Sequence, residues 1–148
     1  MAKILLIEDH KDSRDLIRLV LELDGHTLVE ATSGEDGLKV AAGFRPDLVI
    51  LDISLAGDID GIETLNRLRT DARFDATPVV ALTAHAMKTD EQTIIAAGFD
   101  RYLTKPIIDF EAFKGQINDQ IQNGRNTDIK RIATERLREN PAEKQNNA

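Results

Sequence analysis

Glu8-Asp9, Asp52, Thr83 and Lys105-Pro106 each follow a short run of mostly apolar residues, and together they hold three carboxylates, a hydroxyl and an ammonium. If the runs are neighbouring strands of one parallel sheet, these groups meet at its carboxyl edge, where open α/β sheets bind ligands. Three converging carboxylates repel one another, which raises a pKa or draws in a cation, and oxygen ligands with room for water suit Mg²⁺. Once the cluster is neutralised, the Asp52 carboxylate can attack phosphorus and form an aspartyl phosphate. Lys105 can then balance charge on the phosphoryl oxygens, and Thr83 can supply a hydroxyl donor.

The elements that must position this set are legible in the hydropathy pattern. Ile4-Leu5-Leu6-Ile7, Leu48-Val49-Ile50-Leu51 and Val79-Val80-Ala81-Leu82 lack polar alternation, as expected of central parallel strands covered on both faces. His26–Ala31 and Asp100–Leu103 are weaker strands, expected nearer the sheet edges. Between the strands, Leu16, Ile17, Val20 and Leu21, and then Ile62, Leu65 and Leu68, repeat at helical spacing. Ser33 with Asp36 and Asp60 with Glu63 mark helix starts, and Asp12 with Asp15 is similar. The second helix should stop near Gly43, before Pro46, and the fourth near Gly98, where a left-handed closing residue costs glycine little, while a fifth begins near Asp109. The predicted fold is a doubly wound α/β sheet of five parallel strands with helices on both faces.

The five positions, with Ala81-Leu82-Thr83-Ala84-His85-Ala86-Met87 and Tyr102-Leu103-Thr104-Lys105-Pro106, resemble the response-regulator receiver domain family over roughly residues 3–122. That resemblance implies the strand order 2-1-3-4-5 and a phosphoacceptor switch, with no turnover of outside substrates. It also implies Mg²⁺ held by Asp9, Asp52 and the backbone carbonyl of Ser54, with Glu8 acting mostly through water, and a cis peptide at Lys105-Pro106. The phosphoryl group would come from a histidine kinase or a histidine phosphotransfer protein. Thr83 would then turn toward it and Tyr102 would move into the vacated space. This changes the surface of the fourth helix, fifth strand and fifth helix, where a downstream protein target binds. The protein is expected to be a monomer or a phosphorylation-dependent homodimer.

One departure lies behind Asp52, where Ala56 takes the family's usual proline place and one extra residue precedes Asp60-Gly61, so a looser loop is expected. The rival function is a phosphohydrolase of the haloacid-dehalogenase type, which uses a similar aspartate, Mg²⁺, threonine and lysine. That chemistry needs a second aspartate two residues past the nucleophile, where this chain has Ser54. A flavin carrier is disfavoured by one tyrosine and no tryptophan to sandwich the ring.

The chain has 148 residues, no cysteine and a net charge of -7, which excludes disulfides and thiolate metal sites. The first 122 residues carry -9 and the remaining 26 carry +2, an acidic balance that argues against nucleic-acid partners. Only four apolar residues, Ile4 to Ile7, lie between Lys3 and Glu8, so neither a signal-peptide core nor a membrane span is expected, and the protein is expected in the cytoplasm. Residues 1–122 read as the receiver domain and 123–148 as a polar extension, flexible or a short helix with Ile129, Ile132, Ala133 and Leu137 in one stripe. His10, His26 and His85 read as loop or surface histidines, with His85 a candidate modulator of access to the phosphoryl group.

Overall fold

In the computed structural model the apolar runs form β1 (Lys3–Ile7), β3 (Leu48–Asp52) and β4 (Val79–Thr83), flanked by β2 (Thr27–Ala31) and β5 (Arg101–Thr104). The structure describes residues 1–84 and 88–125, with the backbone alone for 88–90. His85 and the extension from residue 126 onward lie outside the described residues. All strand pairs are parallel, in the order β2-β1-β3-β4-β5, so the two weaker segments do take the edges.

Each strand sends successive side chains to opposite faces, which is why uninterrupted apolar runs suit it. Leu5, Ile7, Val49, Leu51, Val79 and Ala81 pack on one face with α2 (Gly34–Phe44), α3 (Gly61–Arg69) and α4 (Lys88–Ala97). Ile4, Leu6, Leu48, Ile50, Val80 and Leu82 pack on the other with α1 (Lys11–Leu23) and α5 (Phe110–Asn123).

Three helix starts follow the sequence signals. Ser33 accepts from the Asp36 amide at 3.2 Å, Asp60 from the Glu63 amide at 2.9 Å and Asp109 from the Ala112 amide at 3.0 Å. Two expectations need correction. Asp12 and Asp15 form no cap, because α1 starts after His10 and Asp15 instead pairs with Lys11 and Arg18. α2 does stop next to Gly43 and before Pro46, at Phe44, but the left-handed closing residue is Arg45, at φ 54°, and not the glycine. Pro46 disfavours a right-handed helical conformation in the residue before it, so the helix turns off there. Gly98, at φ 104°, closes α4 as expected, and the Lys105-Pro106 bond is cis.

His26 also departs from its surface reading. It is buried; its Nδ1 accepts from the Ala2 amide at 3.1 Å, and its Nε2 lies 2.8 Å from Asn118 Oδ1, linking the start of β1 to α5.

At the amino end of the sheet, buried Asp100 accepts from the Val79 amide at 2.9 Å and pairs with Arg69 and Arg125, both at 3.3 Å. Burial, with Arg125 nearby, lowers the Arg69 guanidinium to about 10. This cluster ties α3 and the residues just past α5 to the lower edge of β4 and β5.

The chain re-enters α3 directly beneath Asp52. Gly61 donates to Ile53 O at 3.0 Å, and a Cβ there would fall 2.3 Å from the Asp52 carbonyl oxygen and 2.6 Å from Ile53 Cα. Both obstacles are backbone, so neither can swing away. Gly61→Ala should therefore cost about 2 kcal/mol or more of stability in a urea titration. A midpoint equal to that of the unsubstituted protein would show that the loop yields freely.

Candidate functional site

Strand register brings the expected side chains to one edge. Asp52 ends β3 opposite Leu82, Thr83 ends β4 opposite Thr104, and Lys105 follows β5 with its amide on Thr83 O at 2.8 Å. Glu8 continues β1 and donates its amide to Ala31 O at 3.0 Å. Glu8, Asp52 and Thr83 are all buried. Tyr102 lies half-buried on β5 opposite Ala81, with its hydroxyl on the Glu91 carboxylate of α4. Burial and that carboxylate raise the phenol pKa.

Lys105 joins the acidic groups: its Nζ lies 2.9 Å from Glu8 Oε1 and 2.8 Å from Asp52 Oδ2. Burial disfavours its ammonium, yet the hydrogen bonds and charges of Asp52 and Glu8 prevail and raise its pKa. The two carboxyls are driven apart. Burial, then the hydrogen bond and charge of Asp52, push Glu8 up to about 7 against the opposing pull of Lys105. Burial acts on Asp52 too, but hydrogen bonds from Glu8, Lys105 and the Ser54 amide hold it below the ordinary carboxylate range. Asp52 is thus the ionised partner, and Glu8 the proton holder.

The loop behind Asp52 is more constrained than its sequence suggests. Ser54 donates its amide to Asp52 Oδ1 at 2.8 Å, and Ala56 donates to Asp9 Oδ2 at 3.2 Å. Leu55 and Ile59 are buried to either side, and Gly57 between them sits at φ 115°, a conformation glycine adopts readily. A proline at position 56 would have no N–H to give Asp9. The substitution that loosens the backbone therefore also adds a tether.

A divalent cation fits this edge. Ligand atoms from Glu8, Asp9, His10 and Asp52 all lie within 4.8 Å of one another. Glu8 Oε2 and Asp9 Oδ1 are buried yet accept no hydrogen bond among the described residues. Carboxylate oxygens in that state favour a hard cation. His10 is 76% exposed and offers nitrogen, which suits Mg²⁺ poorly.

Sequence reasoning missed Arg14. Its Nη1 donates to the backbone carbonyls of Glu8 at 3.0 Å and Asp9 at 2.9 Å. No spacing rule for side-chain chemistry points to a residue that acts on carbonyls, although its place in the first turns of α1, shortly after the acidic pair, does.

Comparison with known proteins agrees with this arrangement. The family profile described as response regulator receiver domain matches residues 4–118. Transcriptional regulatory protein AfsQ1 of Streptomyces coelicolor is 42% identical over 107 residues, 72% of this chain and 46% of that protein, so the chain spans about half of that relative. Polar-differentiation response regulator DivK of Brucella anthropi is 35% identical over 104 residues, covering 70% of this chain and 84% of the relative. The receiver domain of sensor histidine kinase PA1611 from Pseudomonas aeruginosa superposes with a TM-score of 0.74 at 26% identity, covering 82% of this chain and 98% of that one. That crystal structure has a magnesium ion coordinated in its active site cleft.

The carboxyl pair makes stability depend on pH. Glu8 binds a proton more tightly folded than unfolded, so its contribution is complete below about 4.5 and is lost as pH rises through about 7. Asp52 acts oppositely and only at acid pH, since its depressed pKa costs stability as pH falls below 3.8. Without metal, unfolding free energy should drop between pH 5 and 8 by on the order of 1–3 kcal/mol more than in Glu8→Gln. Equal slopes in the two proteins, measured by denaturant melts in chelator, would contradict this placement of the proton.

Proposed function

This chain belongs to the response regulator receiver domain family, whose members act in two-component signalling as switches, and on that premise we propose that Asp52 is its phosphoacceptor. The observation that carries the reading is the buried Asp52 carboxylate, held ionised and bridged to Glu8 by Lys105 at one sheet edge.

Glu8, Asp9, Asp52 and the Ser54 carbonyl are the groups that would hold Mg²⁺, which when bound neutralises the carboxylates and the incoming phosphoryl oxygens. An Asp52 carboxylate oxygen attacks phosphorus as the bond to the donor breaks, and the leaving imidazole of a histidine kinase or histidine phosphotransfer protein keeps the electron pair. Lys105 supplies positive charge to the transferred group, and Thr83 its hydroxyl. Movement of Thr83 and Tyr102 then alters the surface of α4, β5 and α5. A groove of 720 Å³ opens there, lined in part by Ile94, Tyr102, Leu103, Ile107 and Phe113, and a downstream protein target would bind it.

Asp52 serves as a switch and not as a hydrolase nucleophile because Ser54, exposed and neutral, stands where a general acid/base would be needed. The receiver unit is taken as residues 1–122, followed by the polar extension 123–148, and the protein is taken to work in the cytoplasm as a monomer or a phosphorylation-dependent homodimer. No helix among the described residues is long and apolar enough to cross a membrane.

Acetyl phosphate with Mg²⁺ should add one acid-labile phosphate, and Asp52→Asn or excess chelator should abolish it; labelling that persists in Asp52→Asn would sink the assignment. Ser54 neither positions nor blocks the hydrolytic water strongly, so Ser54→Glu or Ser54→Asn should change the phosphate lifetime severalfold. An unaltered decay rate would show that position 54 does not govern access.

A further inference from the structure

The acidic turn after β1 depends on a cation that is not aimed at its carboxylates. Arg14 sends Nη1 to the Glu8 and Asp9 carbonyl oxygens, at 3.0 and 2.9 Å, while its Nε lies 3.5 Å from Glu30 Oε2 on β2. The Arg14 side chain is 15% exposed and that of Glu30 25%, so neither charge is freely solvated. One guanidinium thus spans three points, and its planar fork suits them as a lysine ammonium would not.

The consequence lies in direction. Fixing two successive carbonyls fixes the peptide planes between Glu8, Asp9 and His10, and with them the bonds from which the Glu8 and Asp9 carboxylates project. Other ties act on Glu8 or on side chains: the Glu8 amide donates to Ala31 O and its carboxylate meets Lys105, His10 makes no side-chain capping bond for α1, and the Asp9 carboxylate touches the Ala56 amide through Oδ2 and lies 3.4 Å from exposed His10 Nδ1 through Oδ1. We infer that Arg14, oriented by Glu30, is a positioning residue for the divalent cation, holding the turn so that Glu8 Oε2 and Asp9 Oδ1 face the cation together. This rests on the metal reading of the site given above.

Charge alone makes the opposite prediction. A guanidinium tied to the acidic turn repels an incoming cation, so deleting it would tighten binding if electrostatics were its only effect. Positioning weakens binding on deletion, as with other outer-shell partners of metal ligands.

The test is Mn²⁺ titration of the full chain, with free Mn²⁺ read by electron paramagnetic resonance well below the melting transition of each variant. Arg14→Ala should weaken Mn²⁺ binding about tenfold or more. Arg14→Lys, which keeps the charge and loses the fork, should also weaken it, and it decides the matter if the alanine variant fails to fold. Tighter binding in Arg14→Ala with no change in Arg14→Lys would reduce Arg14 to a charge effect and overturn the inference. Unchanged affinity in both, with only a lowered melting temperature, would overturn it as well, while leaving the metal reading intact. Absence of Mn²⁺ binding in the unsubstituted protein would overturn the metal reading itself, and the role of Arg14 with it.

Discussion

Glu8 and Asp52 cannot both be ionised without a cation beside them. With ligand atoms within 4.8 Å, their repulsion is at least about 3.5 kcal/mol at an effective dielectric near 20. Burial adds to that cost. The arrangement around them answers it in three ways: Lys105 bridges the two, Glu8 holds a proton up to about pH 7, and two buried oxygens stay open to a metal. A site so arranged would respond to a cation, since added positive charge beside Glu8 would favour its ionised form.

The scaffold supplies the rigidity that keeps these charges together. β1, β3 and β4 are buried on both faces, so the residues at their carboxyl ends project from fixed points. The Asp100 cluster fastens the opposite edge, and its two arginines bind a carboxylate that also caps the start of β4. Half-buried Tyr102 and the open groove beside it lie instead on the edge strand, where few neighbours oppose movement.

How much of this could be read from the chain depends on the range of the interaction involved. Uninterrupted apolar runs identified the three central strands because burial on both faces leaves no room for polar residues, and strand order with short connections then placed Asp52, Thr83 and Lys105 at one edge. Caps at Ser33, Asp60 and Asp109 were legible because the donor lies three residues away. Contacts made across the fold were not. His26 looked like a loop residue until Ala2 and Asn118 came to it from distant parts of the chain. Ala56 looked like a loss of stiffness because sequence shows a missing proline ring and not the new bond from its amide to Asp9. Asp12 and Asp15 matched a capping spacing, but basic neighbours on α1 competed for Asp15 and prevailed.

The most direct measurement is a carboxyl ¹³C NMR titration of Glu8 in the metal-free protein and again with saturating Mg²⁺. The expected result is a midpoint near 7 without metal, well above that of an ordinary glutamate, which falls below the ordinary value of about 4.5 when the cation is present. A midpoint near 4.5 in both conditions would contradict the central claim, because Glu8 would then be neither the proton holder of the pair nor a group that responds to a metal.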